Sequence, residues 1–196
     1  QHVSCAGSVQ MIRQAKAAGL AVTAEATPHH LLLTDAACMS YDSNYKMNPP
    51  LRSAHDVEAL RAGVADGTID CLATDHAPHS AEEKELEFSL APFGIISLEC
   101  ALGLYAKALI DSGLMDWPGL VARMATHPAR VLQKPIGTLA AGAEADVTII
   151  DPDRQWTVAV DQWQSRSRNC PYDGWKLKAK VMATIVAGDV KYQAKA

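Results

Sequence analysis

The stretch TIDCLATDHAPH, residues 68–79, is the most informative part of the chain. Its first seven residues are mostly apolar and follow the helix-breaking pair Asp66-Gly67, which predicts a buried strand. Asp75 comes directly after that strand. Catalytic groups in a β/α barrel gather at the carboxyl ends of the strands, so Asp75 is a candidate metal ligand or proton acceptor. The alternative is an aspartate that caps a turn, and the stretch alone favours neither.

Helical and extended patterns alternate on the N-terminal side of this stretch. Residues 8–18 have apolar side chains at helical spacing and end at Gly19, and residues 20–25 predict a short buried strand. Ser53, with Asp56 three positions later, resembles a capping box that opens a helix through about Val64. This βαβα order predicts a parallel sheet with crossover helices.

On the C-terminal side of this stretch the sequence pattern changes twice. Residues 75–94 form a long polar segment, and a loop of this length inside a compact domain is often functional. Helices follow it, and after Gly137 the pattern predicts a small β unit. The predicted helices are 96–112, 118–124 and 128–133, and the predicted β segments are 147–150, 156–160 and 177–192, the last broken at Gly188-Asp189.

The composition of the 196 residues is that of a globular protein, with 48% hydrophobic and 20% charged residues. The net charge of −4 means that the chain has no excess of basic residues to bind phosphate groups, which argues against nucleic acid as a partner. No apolar run reaches the roughly 18 residues of a membrane span, and we expect no signal peptide and no membrane partner. The five cysteines are an odd number without a Cys-x-x-Cys pair, which favours a reducing, cytoplasmic location.

Histidines supply further candidates. His2 lies at an apparent strand end, where a neutral imidazole would suit a zinc ion, although a lone histidine is more often structural. His79, four residues after Asp75, could return to the same site and bind a substrate. In His29-His30 adjacent side chains on an extended segment would point to opposite sides, so at most one could face a site. A structural role is favoured for each of these two.

Two loop segments could also contribute to a site. Residues 46–52, KMNPPLR, are stiffened by two prolines, and Asn48 within them offers both a donor and an acceptor. Pro92, Phe93 and Gly94 offer backbone groups that could approach a ligand closely, because Gly94 has no side chain in the way. The alternatives are a stiff connector for the first segment and the entry to a helix for the second.

Taken together, these segments resemble the bacterial-type dihydroorotases of the amidohydrolase superfamily. No single motif is specific, but the segments occur in the family's order from end to end. The matching segments are His2–Ser4, Glu25–Leu31, Lys46–Arg52, Ala73–His79, Ala91–Ile96, Gly137–Leu139, Gly142–Asp151, Ser165–Asn169 and Pro171–Gly174.

The resemblance implies an α/β fold that combines a β/α (TIM-type) barrel of the amidohydrolase type with a small β-sandwich. Residues 1–135 would form the C-terminal part of the barrel, from about strand six to strand eight and the following helices. Residues 136–196 would form the C-terminal part of the β-sandwich.

The function implied by the resemblance is the reversible, zinc-dependent cyclisation of N-carbamoyl-L-aspartate to L-dihydroorotate in de novo pyrimidine biosynthesis. One or two Zn²⁺ ions per intact subunit are expected. By the family pattern His2 and Asp75 are metal ligands, and Asp75 is also the catalytic residue. Asn48, His79 and the backbone of Pro92, Phe93 and Gly94 would contact the substrate.

The remaining ligands of the family pattern are not in this chain, which has no His-x-His pair. We therefore expect the N-terminal half of the same enzyme to supply them, and the chain alone to be inactive. Two further positions depart from the family pattern: Cys5, where threonine is usual, and Ser97, where glycine is usual. Both are exchanges between small residues, which we expect an intact enzyme to tolerate.

Three other functions are open, and the partial barrel argues against the third, a stable binding module in its own right. Another cyclic amidase, an allantoinase or hydantoinase, would share the metal chemistry, but the segments around Asn48 and Asp75 fit dihydroorotase better. A non-catalytic subunit that scaffolds aspartate transcarbamoylase would be expected to lose site residues, yet the expected positions are retained here. The resemblance leaves open whether the enzyme is a homodimer and whether it needs aspartate transcarbamoylase.

Overall fold

The computed structural model describes residues 1–194, in which helices and short strands alternate before a β-rich C-terminal segment. The α-helices are α1 (Ala6–Ala17), α2 (Pro28–Leu32), α3 (Ala54–Ala65), α4 (Ala81–Lys84), α5 (Ala101–Tyr105), α6 (Trp117–Val121) and α7 (His127–Val131). The strands are β1 (Glu25–Ala26), β2 (Cys71–Leu72), β3 (Val147–Asp151), β4 (Trp156–Thr157), β5 (Lys176–Leu177), β6 (Lys180–Val186) and β7 (Asp189–Gln193). Within residues 1–194 no helix has the length and apolar character needed to cross a bilayer.

The parallel pairing predicted for the first half is present. Strands β1 and β2 pair in parallel, with Glu25 opposite Cys71, and α3 lies between them in the chain. On the other side of β1, the Val3 N–H donates to the Glu25 carbonyl at 3.0 Å. Three chain segments therefore lie side by side, and they end at His2-Val3, Glu25-Ala26 and Leu72-Ala73.

The two predicted strands are much longer than the observed ones. Residues 20–23 are outside any strand, and Leu20 and Val22 are 60% and 38% exposed, so a strand covered on both faces was the wrong prediction there. Pairing begins only at Ala24, whose carbonyl accepts from the N–H groups of Asp70 and Cys71. Residues before this point have no neighbouring strand among the described residues, and hydrophobic pattern alone does not reveal where pairing starts.

The capping box predicted at Ser53 is confirmed. The Ser53 hydroxyl accepts from the Asp56 N–H, and the Asp56 carboxylate accepts from the Ser53 N–H. The same carboxylate also accepts from the Ala6 N–H at 2.8 Å. One side chain thus fixes the start of α3 and the start of α1, on which the position of His2 depends.

The predicted helices 118–124 and 128–133 are a single helical run from Trp117 to Val131. A π-helical turn, Ala122–Thr126, joins α6 to α7 and precedes Pro128. Proline lacks an N–H and usually interrupts a helix, but a locally widened turn can accommodate it without ending the helix. The predicted helix 96–112 starts later, as a 3₁₀ turn at Leu98–Cys100, and runs through α5 and a π-helical turn to Ile110.

The β-rich segment packs against the first part of the chain. Strands β3, β6 and β7 form an antiparallel sheet in the order β3-β6-β7, and β4 pairs with β5. Val158 and Tyr172, from the segment around β4 and β5, belong to one apolar core with Ile95 and Leu104. Burial of that shared core holds the loop before Ile95 against the C-terminal segment. The division into units 1–135 and 136–196 stays a prediction.

Candidate active site

The carboxyl ends of the adjacent segments bring His2, Glu25 and Asp75 together. His2 and Asp75 both have left-handed backbone conformations, with φ of 50° and 46°. Such values are uncommon for residues other than glycine, and they concentrate at functional sites where surrounding structure holds them in place. The sharp turn after β2 places the Asp75 carboxylate beside His2 instead of along the strand.

The contacts in this cluster are short. His2 Nε2 lies 3.6 Å from Asp75 Oδ1, and His2 Nδ1 lies 3.0 Å from Glu25 Oε1. His2 Nδ1 is nevertheless a buried atom without a hydrogen-bond partner. About a quarter of the side-chain surface of His2 and of Asp75 is exposed. The cluster is therefore reachable from outside.

His2 and Asp75 fit a metal ion. Two atoms that bind one tetrahedral zinc ion at about 2.0–2.1 Å lie roughly 3.3 Å apart, close to the observed separation of 3.6 Å. Glu25 lies near the other ring nitrogen, the place from which a carboxylate commonly orients a metal-binding histidine, although the two groups form no hydrogen bond here. Among residues 1–194, however, no group of three or more histidine, cysteine or acidic side chains is placed to hold a metal. The described residues therefore offer only two of the donors that a metal site would need.

The predicted substrate-contacting residues meet in one pocket. A cavity of about 240 Å³ is lined by Met47, Asn48, Asp75, Ala77, His79, Pro92, Phe93 and Gly94. Six of these eight residues are the catalytic and substrate-binding candidates of the sequence. They come from three separate loops, so only the folded chain brings them together.

Gly94 and His79 approach closely in this pocket. Gly94 has φ of +151°, and a Cβ at this position would lie 2.7 Å from two atoms of the His79 ring. His79 Nε2 lies 3.0 Å from the Phe93 carbonyl oxygen, within hydrogen-bond distance. The glycine is therefore required both by its backbone conformation and by the ring beside it.

Asn169 joins the two loops that form the pocket wall. Its buried side chain donates to the carbonyls of Ala77 and Gly94 at 2.9 and 3.0 Å and accepts from the His79 N–H at 3.2 Å. A buried amide with its donors and acceptor satisfied in this way fixes the backbone around it. The segment that bears Asn169 is distant in sequence, and it holds the loop that carries His79 against the loop that carries Gly94.

Lys84 makes a second set of hydrogen bonds that hold the same wall of the pocket. Its buried ammonium group donates to the carbonyls of Ser43, Pro92 and Gly94 at 2.6, 3.0 and 3.3 Å. Burial lowers the pKa of Lys84 to about 8. The acidic run that contains Lys84 forms the short helix α4, which the sequence did not predict.

His76, in the same stretch as Asp75 and His79, is not among the lining residues of the pocket. Its Nδ1 accepts from the N–H groups of Ser97 and Leu98, each at 3.2 Å. Ser97, where the family pattern has glycine, is fully buried, and its hydroxyl donates to the Thr74 carbonyl at 3.1 Å. The extra hydroxyl therefore ties the start of the following helix to the strand end next to Asp75.

Four residues near the site were missed as candidates: Glu25, His29, Lys84 and Asn169. The sequence did contain a signal for Glu25: it is the last residue of one predicted strand, and Asp75 directly follows another. His29 was assigned a structural role, but its Nε2 lies 4.0 Å from Asp75 Oδ2. Lys84 and Asn169 had no local signal, because their partners are backbone carbonyls remote in sequence.

A larger cavity of about 410 Å³ lies elsewhere, between the end of the helix at Ile110 and the β4–β5 pair. Lys107, Asp111, Trp156 and Lys176 are among the residues that line it. None of its described lining residues is a histidine, and it is separate from the paired groups around Asp75. The smaller pocket is therefore the candidate active site.

Comparisons with known proteins place these features in a family. A model of the amidohydrolase family matches residues 2–191. A dihydroorotase from Geobacter sp. (strain M21) is 50% identical over 98% of this chain and 45% of its own length. A dihydroorotase from Pelotomaculum thermopropionicum is 54% identical over 98% of this chain and again 45% of its own length. The chain thus spans less than half the length of these relatives.

Solved structures of hydantoinases are similar in fold. The L-hydantoinase (dihydropyrimidinase) from Arthrobacter aurescens superposes with a TM-score of 0.93 and 30% identity, over 100% of this chain and 44% of that chain. A D-hydantoinase from Thermus sp. gives a TM-score of 0.88 and 27% identity, over 98% of this chain and 44% of that one.

Proposed function

The chain belongs to the amidohydrolase family, and from that premise we propose that it is the C-terminal part of a dihydroorotase. The pocket carries the proposal, because Asn48, Asp75, His79 and Pro92–Gly94 line a single cavity. Relatives named dihydroorotase at 50% and 54% identity support the choice within the family. The reaction proposed for the whole enzyme is the interconversion of N-carbamoyl-L-aspartate and L-dihydroorotate.

The predicted fold class is confirmed. Helices and strands are mixed, the family model covers nearly the whole chain, and the likeness to the hydantoinase of Arthrobacter aurescens extends over all of it. The chain has the fold of part of an amidohydrolase-type β/α barrel.

The amidohydrolase family is generally metal-dependent, and we propose zinc as the metal here. A bound zinc ion would supply a Lewis acid and a water molecule whose pKa is lowered towards ~7. His2 and Asp75 would be two of its ligands. The upstream part of the enzyme would provide the others, which agrees with the incomplete donor set in this chain.

Asp75 is the proposed proton carrier of the reaction. In the hydrolytic direction its carboxylate would accept a proton from the attacking water and then deliver it to the ring nitrogen that leaves. In cyclisation the same group would act in the reverse order. Its position in the pocket wall, next to His2, puts the carboxylate within reach of both the metal and the substrate.

Asn48, His79 and the backbone of Pro92–Gly94 would orient the substrate. L-dihydroorotate presents a carboxylate and a ring amide, which require several donors and acceptors held at fixed positions. The ties from Asn169 and Lys84 hold the Ala77 and Pro92–Gly94 backbone in place. Such prior fixation lowers the entropic cost of reaching the reactive geometry.

The replacement Asp75→Asn in the full-length enzyme tests the proposal. A carboxamide is a poor base and a weaker metal ligand, so kcat should fall by about 10²–10⁴-fold or more. Steady-state turnover of L-dihydroorotate, with zinc content measured in parallel, gives the result. Asp66→Asn is a matched control, because Asp66 caps a turn and pairs with Arg13 away from the pocket. Near-normal turnover of Asp75→Asn would rule out Asp75 as the proton carrier.

Substrate profiling separates the alternative functions. The structural likeness to hydantoinases favours a second candidate, a hydantoin- or allantoin-cleaving enzyme. Turnover of hydantoin or allantoin in preference to dihydroorotate would replace the proposed substrate. Dihydroorotase activity that appears only after aspartate transcarbamoylase is added would identify a dependent subunit. Size-exclusion chromatography of the same preparation would test whether the enzyme is a homodimer. We also propose a cytoplasmic location, which agrees with the free cysteines.

A further inference from the structure

Two adjacent histidines in helix α2 have very different surroundings. His30 is buried and fully paired, with Nδ1 2.8 Å from Thr27 Oγ1 and Nε2 2.9 Å from the Pro49 carbonyl oxygen. These bonds hold the backbone next to Asn48. The pair lies in a helix and not in the extended segment that the sequence suggested, and the two ring centroids are only 4.4 Å apart.

His29 has no such partners. Its side chain is 0% exposed, and neither Nδ1 nor Nε2 has a hydrogen-bond partner. Burying polar atoms without hydrogen bonds opposes folding, so buried histidines in proteins are normally paired. The His29 ring is nevertheless surrounded by protein on every side. Packing of the core does not explain why both ring nitrogens are buried without hydrogen bonds.

The Asp75 carboxylate lies beside the His29 ring. His29 Nε2 lies 4.0 Å from Asp75 Oδ2, while His2 Nε2 lies 3.6 Å from Oδ1. Each oxygen of the carboxylate thus faces a different imidazole. Burial, together with the neighbouring His30 and His2, lowers the pKa of His29 well below its ordinary value. The ring is therefore neutral and has one N–H to donate.

We propose that His29 is a positioning residue for Asp75, donating its Nε2–H to Oδ2 and leaving Oδ1 to the metal and the substrate. The inference rests on the proposed function. A shift of about 1 Å brings the observed contact into the hydrogen-bond range of 2.7–3.2 Å. A neutral donor suits a proton-accepting carboxylate, because it fixes the orientation of the group and stabilises its charged form less than a cation would.

The test uses two replacements of His29 in the full-length enzyme and a control at its neighbour. His29→Leu removes both nitrogens but keeps an apolar side chain, and His29→Gln keeps an N–H donor. His30→Leu is the matched control, because it removes a paired ring from the same helix turn. For each protein the measurements are kcat and KM for L-dihydroorotate, zinc affinity by chelator competition, and the urea midpoint of the metal-free protein.

We expect His29→Leu to lower kcat or zinc affinity by about 10–100-fold, with KM unchanged. Its urea midpoint should stay equal to or above that of the wild type, since two unpaired buried atoms are removed. His29→Gln should recover much of the loss. His30→Leu should instead lower the urea midpoint.

The inference fails if His29→Leu retains the kcat and zinc affinity of the wild type. It also fails if His29→Leu loses stability as His30→Leu does and glutamine restores nothing, because His29 would then have only a structural role. Absence of dihydroorotase turnover in the wild-type enzyme would refute the proposed function instead. In that case zinc affinity still tests the role of His29. Equal zinc affinities of the wild type and His29→Leu would overturn that role.

Discussion

Gly94 shows how strongly one residue constrains the candidate pocket. Gly94→Ala would place a Cβ 2.7 Å from the His79 ring in a backbone conformation that other residues rarely adopt. Such conformations cost about 1–3 kcal/mol, and the ring must also move. We expect KM for L-dihydroorotate to rise by about tenfold or more, since 1.4 kcal/mol corresponds to a factor of ten.

Gly142→Ala is the control for this replacement. Gly142 also has positive φ, +85°, but nothing lies within 4 Å of the Cβ that would be added. It should lose stability through backbone strain while KM stays unchanged. An equal rise in KM in both variants would show that Gly94 acts through overall stability and not through the pocket.

Lys84 makes stability depend on pH in an unusual direction. Burial lowers its pKa from 10.5 to about 8, so the folded state binds the proton less tightly than the unfolded state does. The free energy of unfolding should therefore rise as pH increases from about 8 to 10.5, relative to Lys84→Met, which lacks the titrating group. Urea unfolding of both proteins at pH 7.5 and pH 10 measures this difference. A constant difference between the two proteins would contradict the assignment.

At the scale of elements, the junction between α1 and α3 depends on the Asp56 side chain. Asp56→Ala removes half of the capping box and the bond to the Ala6 N–H, and it should cost about 0.5–2 kcal/mol of stability. Hydrogen bonds from Ser53 and Ala6 lower the pKa of Asp56. Its contribution is therefore present above the ordinary carboxyl pKa and is lost as pH falls through the lowered value.

Thermal unfolding at neutral and acidic pH measures this contribution. Glu58→Ala, at an exposed position of the same helix, is the matched control and should change stability little. The destabilisation caused by Asp56→Ala should shrink at acidic pH, where the wild type has also lost its charged cap. A destabilisation that is the same at both pH values would exclude the carboxylate as the source.

At the scale of the whole molecule, we predict that residues 1–196 alone neither unfold cooperatively nor bind two zinc ions. Strands β1 and β2 are two residues each, and large apolar side chains such as Leu20, Leu98 and Leu139 are 60–80% exposed. Short paired segments and exposed apolar surface are typical of a structure that needs further chain to cover it. The donor set for a metal is also incomplete within residues 1–194.

Circular dichroism melting and zinc stoichiometry of the isolated chain measure this prediction. Co-expression with the upstream half of a dihydroorotase relative should restore a sharp melting transition and zinc binding. A monomeric, cooperatively melting chain with two tightly bound zinc ions would contradict it. Restored binding without dihydroorotase turnover would count against the proposed function and leave the prediction about stability intact.

Local sequence was sufficient where the interaction itself is local. The capping box at Ser53, helix α1 within one or two residues and the turn at Gly188 depend on neighbours in the chain, and all three were predictable. The ordered motifs also indicated the family and the placement of Asp75 after a strand. Strand length failed for residues 20–23, because pairing with a partner and not hydrophobicity sets where a strand begins.

The tertiary fold alone brings the pocket together, because its walls come from loops distant in sequence. Asn48, Asp75 and Gly94 meet only after β1 pairs with β2 and the C-terminal segment packs on Ile95. The partners of Lys84 and Asn169 are backbone carbonyls, which have no signature in the sequence. His29 and His30 are the same residue type in adjacent positions. In the folded chain the His30 ring is within hydrogen-bond distance of Thr27 and Pro49, whereas the His29 ring is buried beside Asp75 without a hydrogen-bond partner.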